Sequence, residues 1–148
     1  MYKQSSANIT HQNGFVLLEA LVAILIFSVG VLALVGMQAL AAKQSTDAKY
    51  RTEAALLANK LIGTMWVDNR TTATLKAKYQ TCSTSSCAGY AAWLNEVRNA
   101  LPGVVANSMT APTVVISNTG VVTVTVYWRT PSQEANERHS YVAIAQIL

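Results

Sequence analysis

The stretch Asn13–Phe27, NGFVLLEALVAILIF, decides how the rest of the chain is read. One carboxylate, Glu19, stands among residues suited to lipid, and no charged residue follows from Ala20 to Ala42. About 20 apolar helical residues cross a bilayer core, so Phe15–Ala42 is long enough to span a membrane. A secretory signal is built differently, with an apolar core of roughly 7–15 residues followed by a small-residue cleavage site. Here the polar leader MYKQSSANITHQNG has Lys3 as its one firm positive charge, and ALAAK at Ala39–Lys43 is the nearest approach to such a site. The expectation is a retained anchor.

A charge at a bilayer centre costs roughly 3 kcal/mol on insertion scales, and less near an end. Glu19 could simply reach water at the interface. A sharper reading follows if the chain is cut between Gly14 and Phe15. Phe15 then carries a new α-amino group, and Glu19 lies one helical turn beyond it. A buried carboxylate is tolerated mainly when paired. Among packed helices, Glu19 would meet the amino terminus of a neighbouring subunit and penalise a wrong axial register.

GFVLLEALVAILIFSVGVLALVGMQ, Gly14–Gln38, resembles the N-terminus of type IV prepilins. The resemblance implies that Gly14 precedes the cut, that Phe15 becomes an N-methylated first residue, and that Glu19 is the fifth-position acid. It implies a bifunctional prepilin peptidase and methyltransferase as the partner that performs this chemistry. It divides the chain into a cleaved leader (1–14), a hydrophobic transmembrane and assembly helix (15–42) and a periplasmic head (43–148). Gly36 falls where many major pilins have proline, a departure from the pattern. Gly30 and Gly36 also suit close packing of membrane helices.

Downstream, DAKYRTEAALLANKLIGTMW places Ala54, Leu57, Ala58, Leu61, Ile62 and Met65 at alternating spacings of three and one. This is the apolar stripe of an amphipathic helix facing a core. Asp47 and Arg51 are spaced for an i,i+4 ion pair, and Asp68–Arg70 reads as the stop. After a polar connector, YAAWLNEVRNALPG predicts a short helix with Tyr90, Leu94, Val97 and Leu101 on one stripe and Trp93 beside it. Pro102-Gly103 ends that helix. PTVVIS-NTG-VVTVTVYWR predicts a hairpin. Val122, Val124, Val126 and Trp128 share its core face, and Thr123, Thr125, Tyr127 and Arg129 face solvent. PSQEANERH reads as a polar loop and SYVAIAQIL as a last strand. The expected fold is α+β and pilin-like: a long N-terminal helix packed against a C-terminal antiparallel sheet of about three or four strands.

Cys82 and Cys87 lie in TCSTSSCAGY. A zinc site normally wants four N or S ligands, and the two histidines, His11 and His139, are remote in sequence. A disulfide is the better reading, worth about 2 kcal/mol by loop entropy, and it implies an oxidising compartment. Two unpaired thiols in a reducing cytosol are the alternative. The net charge is +4, from 11 Lys+Arg against 7 Asp+Glu. Lys76, Lys78, Arg98 and Arg129 are dispersed, whereas nucleic-acid binders concentrate such charge, so nucleic acid is not an expected partner. No P-loop, G-x-S-x-G elbow or H-E-x-x-H pair occurs. His139, flanked by Glu134 and Glu137, reads as a solvated loop residue. Trp66, Trp93 and Trp128 read as core and sheet packing. No enzyme activity, cofactor or metal is expected.

The order Cys-x4-Cys, AAWLNEVRNALPG, GVVTVTVYWR is similar to minor pilins of the V-type pilus-modification class. That resemblance implies a subunit that primes type IV pilus assembly and lies at or near the tip, with roles in piliation, twitching motility and adhesion. Its implied partners are other minor pilins, the major pilin, a tip adhesin, and the bacterial inner membrane before assembly. A minor pseudopilin of a type II secretion system shares the N-terminal pattern and stays open. So does a DNA-uptake or adhesive pilin-like binding module.

Overall fold

A computed structural model of the chain describes residues 13–82, 87–131, 133–134 and 136–147. Residues 1–12 of the expected leader lie outside the described residues. The chain divides into two compact units between Ser45 and Thr46. Helix α1 (Asn13–Val67) contributes residues to both.

In the first unit, α1 is apolar on every side. Its large hydrophobic side chains from Phe15 to Leu40 are 41 to 72% exposed. The Ser28 hydroxyl donates a 2.7 Å hydrogen bond to the Ile24 carbonyl, which satisfies a polar group within the run without water. The helix is long and apolar enough to cross a membrane.

The second unit holds the rest of α1, then α2 (Thr72–Tyr79), α3 (Ala88–Ala100), β1 (Thr113–Ile116), β2 (Val121–Trp128) and β3 (His139–Gln146). The stripe on α1 is buried as its spacing requires: Ala54, Leu57, Ala58, Leu61, Ile62 and Met65 are each at most 8% exposed. The polar stop also behaves as expected. Past Val67, Asp68 accepts the Asn69 N–H, Asn69 accepts the Thr71 N–H, and Thr71 caps the next helix by accepting from the Thr74 N–H at 3.4 Å.

That next helix corrects the sequence reading, which gave this region as a polar connector. α2 buries only Leu75 and Tyr79, an i,i+4 pair on one face. Asp68 anchors its C-terminal end, accepting from Lys78 Nζ at 2.5 Å and from the Tyr79 hydroxyl at 2.6 Å. α3 begins directly against α2. A Cβ added at Gly89 would lie 2.5 Å from the Tyr79 ring and 2.9 Å from the Lys78 carbonyl oxygen, so the helices approach too closely for a side chain there.

α3 buries Tyr90, Trp93 and Val97, with Leu94 half-buried and Leu101 buried at its end. Gly103 then takes a left-handed turn at φ 67°, and the Arg129 N–H donates to the Pro102 carbonyl at 3.1 Å, tying the turn to the end of β2.

The sheet has three strands in the order β1-β2-β3, all antiparallel. Val122, Val124, Val126 and Trp128 turn to the core and are at most 3% exposed. The opposite face departs from expectation: Thr125 is buried, and Thr123, Tyr127 and Arg129 are half-buried. β2 is the central strand, so its outward side chains are shielded from both sides. Thr125 lies between Thr113 of β1 and Val142 of β3. The side chains of α1, α2, α3 and the sheet form one hydrophobic cluster.

Candidate functional site

Gly14, Phe15 and Glu19 all lie at the start of α1. Residues 15 and 19 are one turn apart on the same helical face, about 6 Å along the axis. Phe15 is 67% exposed, and Glu19 is exposed as well. The Gly14–Phe15 bond is thus at the helix entrance, with its surroundings open within the chain. A Cβ added at Gly14, Gly30 or Gly36 would meet nothing within 4 Å. Intrachain packing therefore does not demand glycine at any of the three positions.

An apolar cylinder exposed all round is not a stable surface in water, and it needs lipid or other helices around it. Packed among other helices, a Glu19 without a cation beside it would carry the cost of a buried charge. The α-carbon of Phe15 is where a free amine would arise on cutting the Gly14–Phe15 bond.

In the second unit, Cys82 and Cys87 form a disulfide with their α-carbons 6.3 Å apart, inside the normal range. The bridge links the segment after α2 to the residue that opens α3. Cys87 is buried and Cys82 packs against the core, so the bond is part of the head's interior.

His139 is placed differently from the sequence reading. It is the first residue of β3 rather than a loop residue, paired in register with Trp128. The two rings stack at 5.4 Å and 24°. Cross-strand packing of the two rings accounts for the position. Trp66 also differs, being 48% exposed, whereas Trp93 and Trp128 are buried as expected. The expected Asp47–Arg51 ion pair does not close: ion pairs formed among the described residues are Lys60–Glu96 at 2.8 Å and Lys78–Asp68. Both Asp47 and Arg51 instead border a shallow groove of about 330 Å³ with Ala48, Trp128, His139 and Ser140.

That groove mixes one acid, one base and a stacked imidazole. No hydrogen bond joins His139 to a nucleophile or carboxylate among the described residues, so the groove lacks the linked base and nucleophile of covalent catalysis. Among the described residues, no three of His, Cys, Asp and Glu are grouped to hold a metal ion. The buried Trp128 indole N–H has no hydrogen-bond partner among the described residues, and sequence gave no signal of it.

The strongest electrostatic cluster is Asp68 with Lys78 and Tyr79. The hydrogen bond from Lys78, then that from Tyr79, holds the Asp68 carboxyl far below the usual carboxylate range. Asp68 in turn raises the Lys78 ammonium. The cluster joins the end of α1 to the end of α2. Its chemistry is fully spent on that contact.

No family model, no curated protein and no solved structure matches the chain.

Proposed function

We infer that this chain is a type IV prepilin-like protein that acts as a minor pilin of the V-type class. The single observation that carries the reading is the Gly14–Phe15 junction with Glu19 one turn beyond it, opening a helix that is apolar all round before it becomes a core-facing stripe. A prepilin peptidase and methyltransferase cuts at Gly14 and methylates Phe15. The helix holds the subunit in the bacterial inner membrane, with the head in the periplasm, until it joins other minor pilins and the major pilin. There Glu19 pairs with the amino terminus of a neighbour, because an ion pair is what makes its burial tolerable. The subunit then helps start the filament and stays at or near its tip beside an adhesin. A disulfide-stapled head agrees with an oxidising periplasm.

Mass spectrometry of the protein recovered from membranes tests the processing. The expected product begins at an N-methylated Phe15. A chain that retains residues 1–14 in cells with an active peptidase refutes the reading. Deletion of the gene separates the pilus role, seen as lost pili and twitching, from a pseudopilin role, seen as lost protein secretion.

A further inference from the structure

We propose that Asn107 is a site of spontaneous deamidation, where the side chain closes on the backbone nitrogen of Ser108 and water reopens the ring to aspartate or isoaspartate.

Asparagine is a labile residue because its side-chain carbonyl carbon, Cγ, can be reached by the backbone nitrogen that follows it. The step balances without a redox partner. The Ser108 nitrogen loses its proton to solvent base and bonds to Asn107 Cγ. The Cγ–Nδ2 bond breaks, and Nδ2 takes up a proton and leaves as ammonia. Water then cleaves either imide C–N bond. Opening at Cγ gives aspartate, and opening at the main-chain carbonyl gives isoaspartate, with the backbone routed through the side chain. Three conditions favour ring closure: a small following residue, a following N–H free of hydrogen bonds, and a side-chain amide that nothing holds.

The asparagines of the second unit differ on these conditions. Asn59 lies within α1, and Asn95 and Asn99 within α3, so the N–H that follows each is bound in the helical ladder. Asn69 precedes the bulky Arg70, and its Oδ1 accepts the Thr71 N–H at 3.1 Å. Asn118 precedes the β-branched Thr119. Its Oδ1 accepts from Lys76 Nζ, and the Thr119 N–H donates to Ser117 Oγ at 3.2 Å. After Asn136, the Glu137 N–H donates to the Glu134 carbonyl at 3.1 Å.

Asn107 meets all three. It is exposed, it lies between α3 and β1, and serine follows it. Among the described residues, neither its side-chain amide nor the Ser108 N–H makes a hydrogen bond. Ser108 is fixed by its other polar groups. Its hydroxyl donates to the Val105 carbonyl at 2.7 Å and accepts the Thr110 N–H at 3.2 Å, and its carbonyl accepts the Ala111 N–H at 3.0 Å. The turn thus holds the reacting nitrogen without using it. Asn107 also has a φ of 57°, the one left-handed non-glycine residue among those described. Asparagine and aspartate tolerate that conformation more readily than most residues, so the aspartyl product keeps the turn. The isoaspartyl product lengthens the backbone and displaces it. This chemistry is independent of the assembly role inferred above.

The test incubates the full-length chain in detergent at neutral and at mildly alkaline pH, and follows each asparagine of the second unit by fragment-ion mass spectrometry of its peptides. Asn107 should gain the amide-to-acid mass ahead of the others, as separable aspartyl and isoaspartyl forms. It should do so faster at the higher pH, because the attacking nitrogen must lose a proton. Ser108→Thr keeps the hydroxyl but crowds the nitrogen with a β-branch, and should slow the conversion several-fold. An Asn107 that stays an amide, or that converts after Asn69, Asn118 or Asn136, overturns the proposal. So does a Ser108→Thr chain that converts at the wild-type rate, or a product with no isoaspartyl form, which direct hydrolysis of the amide would give.

Discussion

The indole N–H of Trp93 donates a 2.9 Å hydrogen bond to the carbonyl oxygen of Leu57, fastening α3 onto a turn of α1. The Leu57 carbonyl belongs to a helical ladder, so losing the indole does not orphan it. Trp93→Phe removes the bond and some volume from the core. It should destabilise the head by about 1–3 kcal/mol, read as a lowered denaturation midpoint for the full chain in detergent. An unchanged midpoint would show that the bond contributes nothing net.

Gly103 and Gly63 should respond to alanine in opposite senses. At Gly103 the left-handed φ of 67° is strained for alanine, and its Cβ would lie 2.6 Å from the Arg129 carbonyl oxygen. A loss of more than about 1 kcal/mol is expected. Gly63 lies within α1 with nothing within 4 Å of an added Cβ. There alanine should stabilise by about 0.5–1 kcal/mol. Thermal melts of the two variants check both signs.

Asp68 makes the head sensitive to acid. Its folded pKa lies below the unfolded value, through hydrogen bonds from Lys78 first and then Tyr79. Between those two values the unfolded chain binds more protons than the folded one, so this contribution is present above about pH 4 and fades as pH falls below it. The stability gap between wild type and Asp68→Asn should therefore narrow on acidification. Paired urea titrations from neutral to acid pH measure it, and a gap that widens contradicts the assignment.

Much of this architecture was legible because its periodicity is strict. The three-and-one spacing from Ala54 to Met65 and the alternation from Val122 to Trp128 each match one period, and each names a buried face. α2 was hidden because its eight residues bury only Leu75 and Tyr79; the Thr71 cap was the one local cue. His139 reads as a loop residue because it ends the polar run PSQEANERH, and only its pairing with Trp128 brings it into β3. The contact of Thr81 with Val114 was out of reach, since the two are 33 residues apart and nothing in the local sequence directs the Thr81 N–H and hydroxyl at β1. The processing junction proposed at Gly14, Phe15 and Glu19 rests on residue order. The proposed partner of Glu19 belongs to another chain and exists only after a cut, so neither the folded chain nor its packing contains it.

The Cys82–Cys87 bridge closes a short loop between the end of α2 and the start of α3. Replacing both cysteines by serine should cost about 2 kcal/mol by loop entropy. The buried position of Cys87 adds to that cost, because serine there needs a hydrogen-bond partner. Denaturant midpoints of wild type with and without a reductant, compared with the double variant, measure the effect. A reductant that shifts the double variant equally would mean that the bridge is not its target.

Glu19→Ala should leave membrane insertion unchanged or slightly improved, because it removes a charge from an apolar run. Under the inferred assembly role it should sharply lower the amount of this subunit in sheared pili, while the membrane-bound pool persists. Immunoblots of the two fractions give the comparison. Equal amounts of mutant and wild-type protein in pili would dissociate Glu19 from assembly.

The hydrogen bonds between Thr81 and Val114 cover the outward backbone groups of one of the two outward residues of β1, Val114. Two open edges would allow strand-to-strand addition without limit. Thr81 therefore narrows the part of the β1 edge open to another strand, and a residue that lost both its N–H and hydroxyl, such as proline, would widen it.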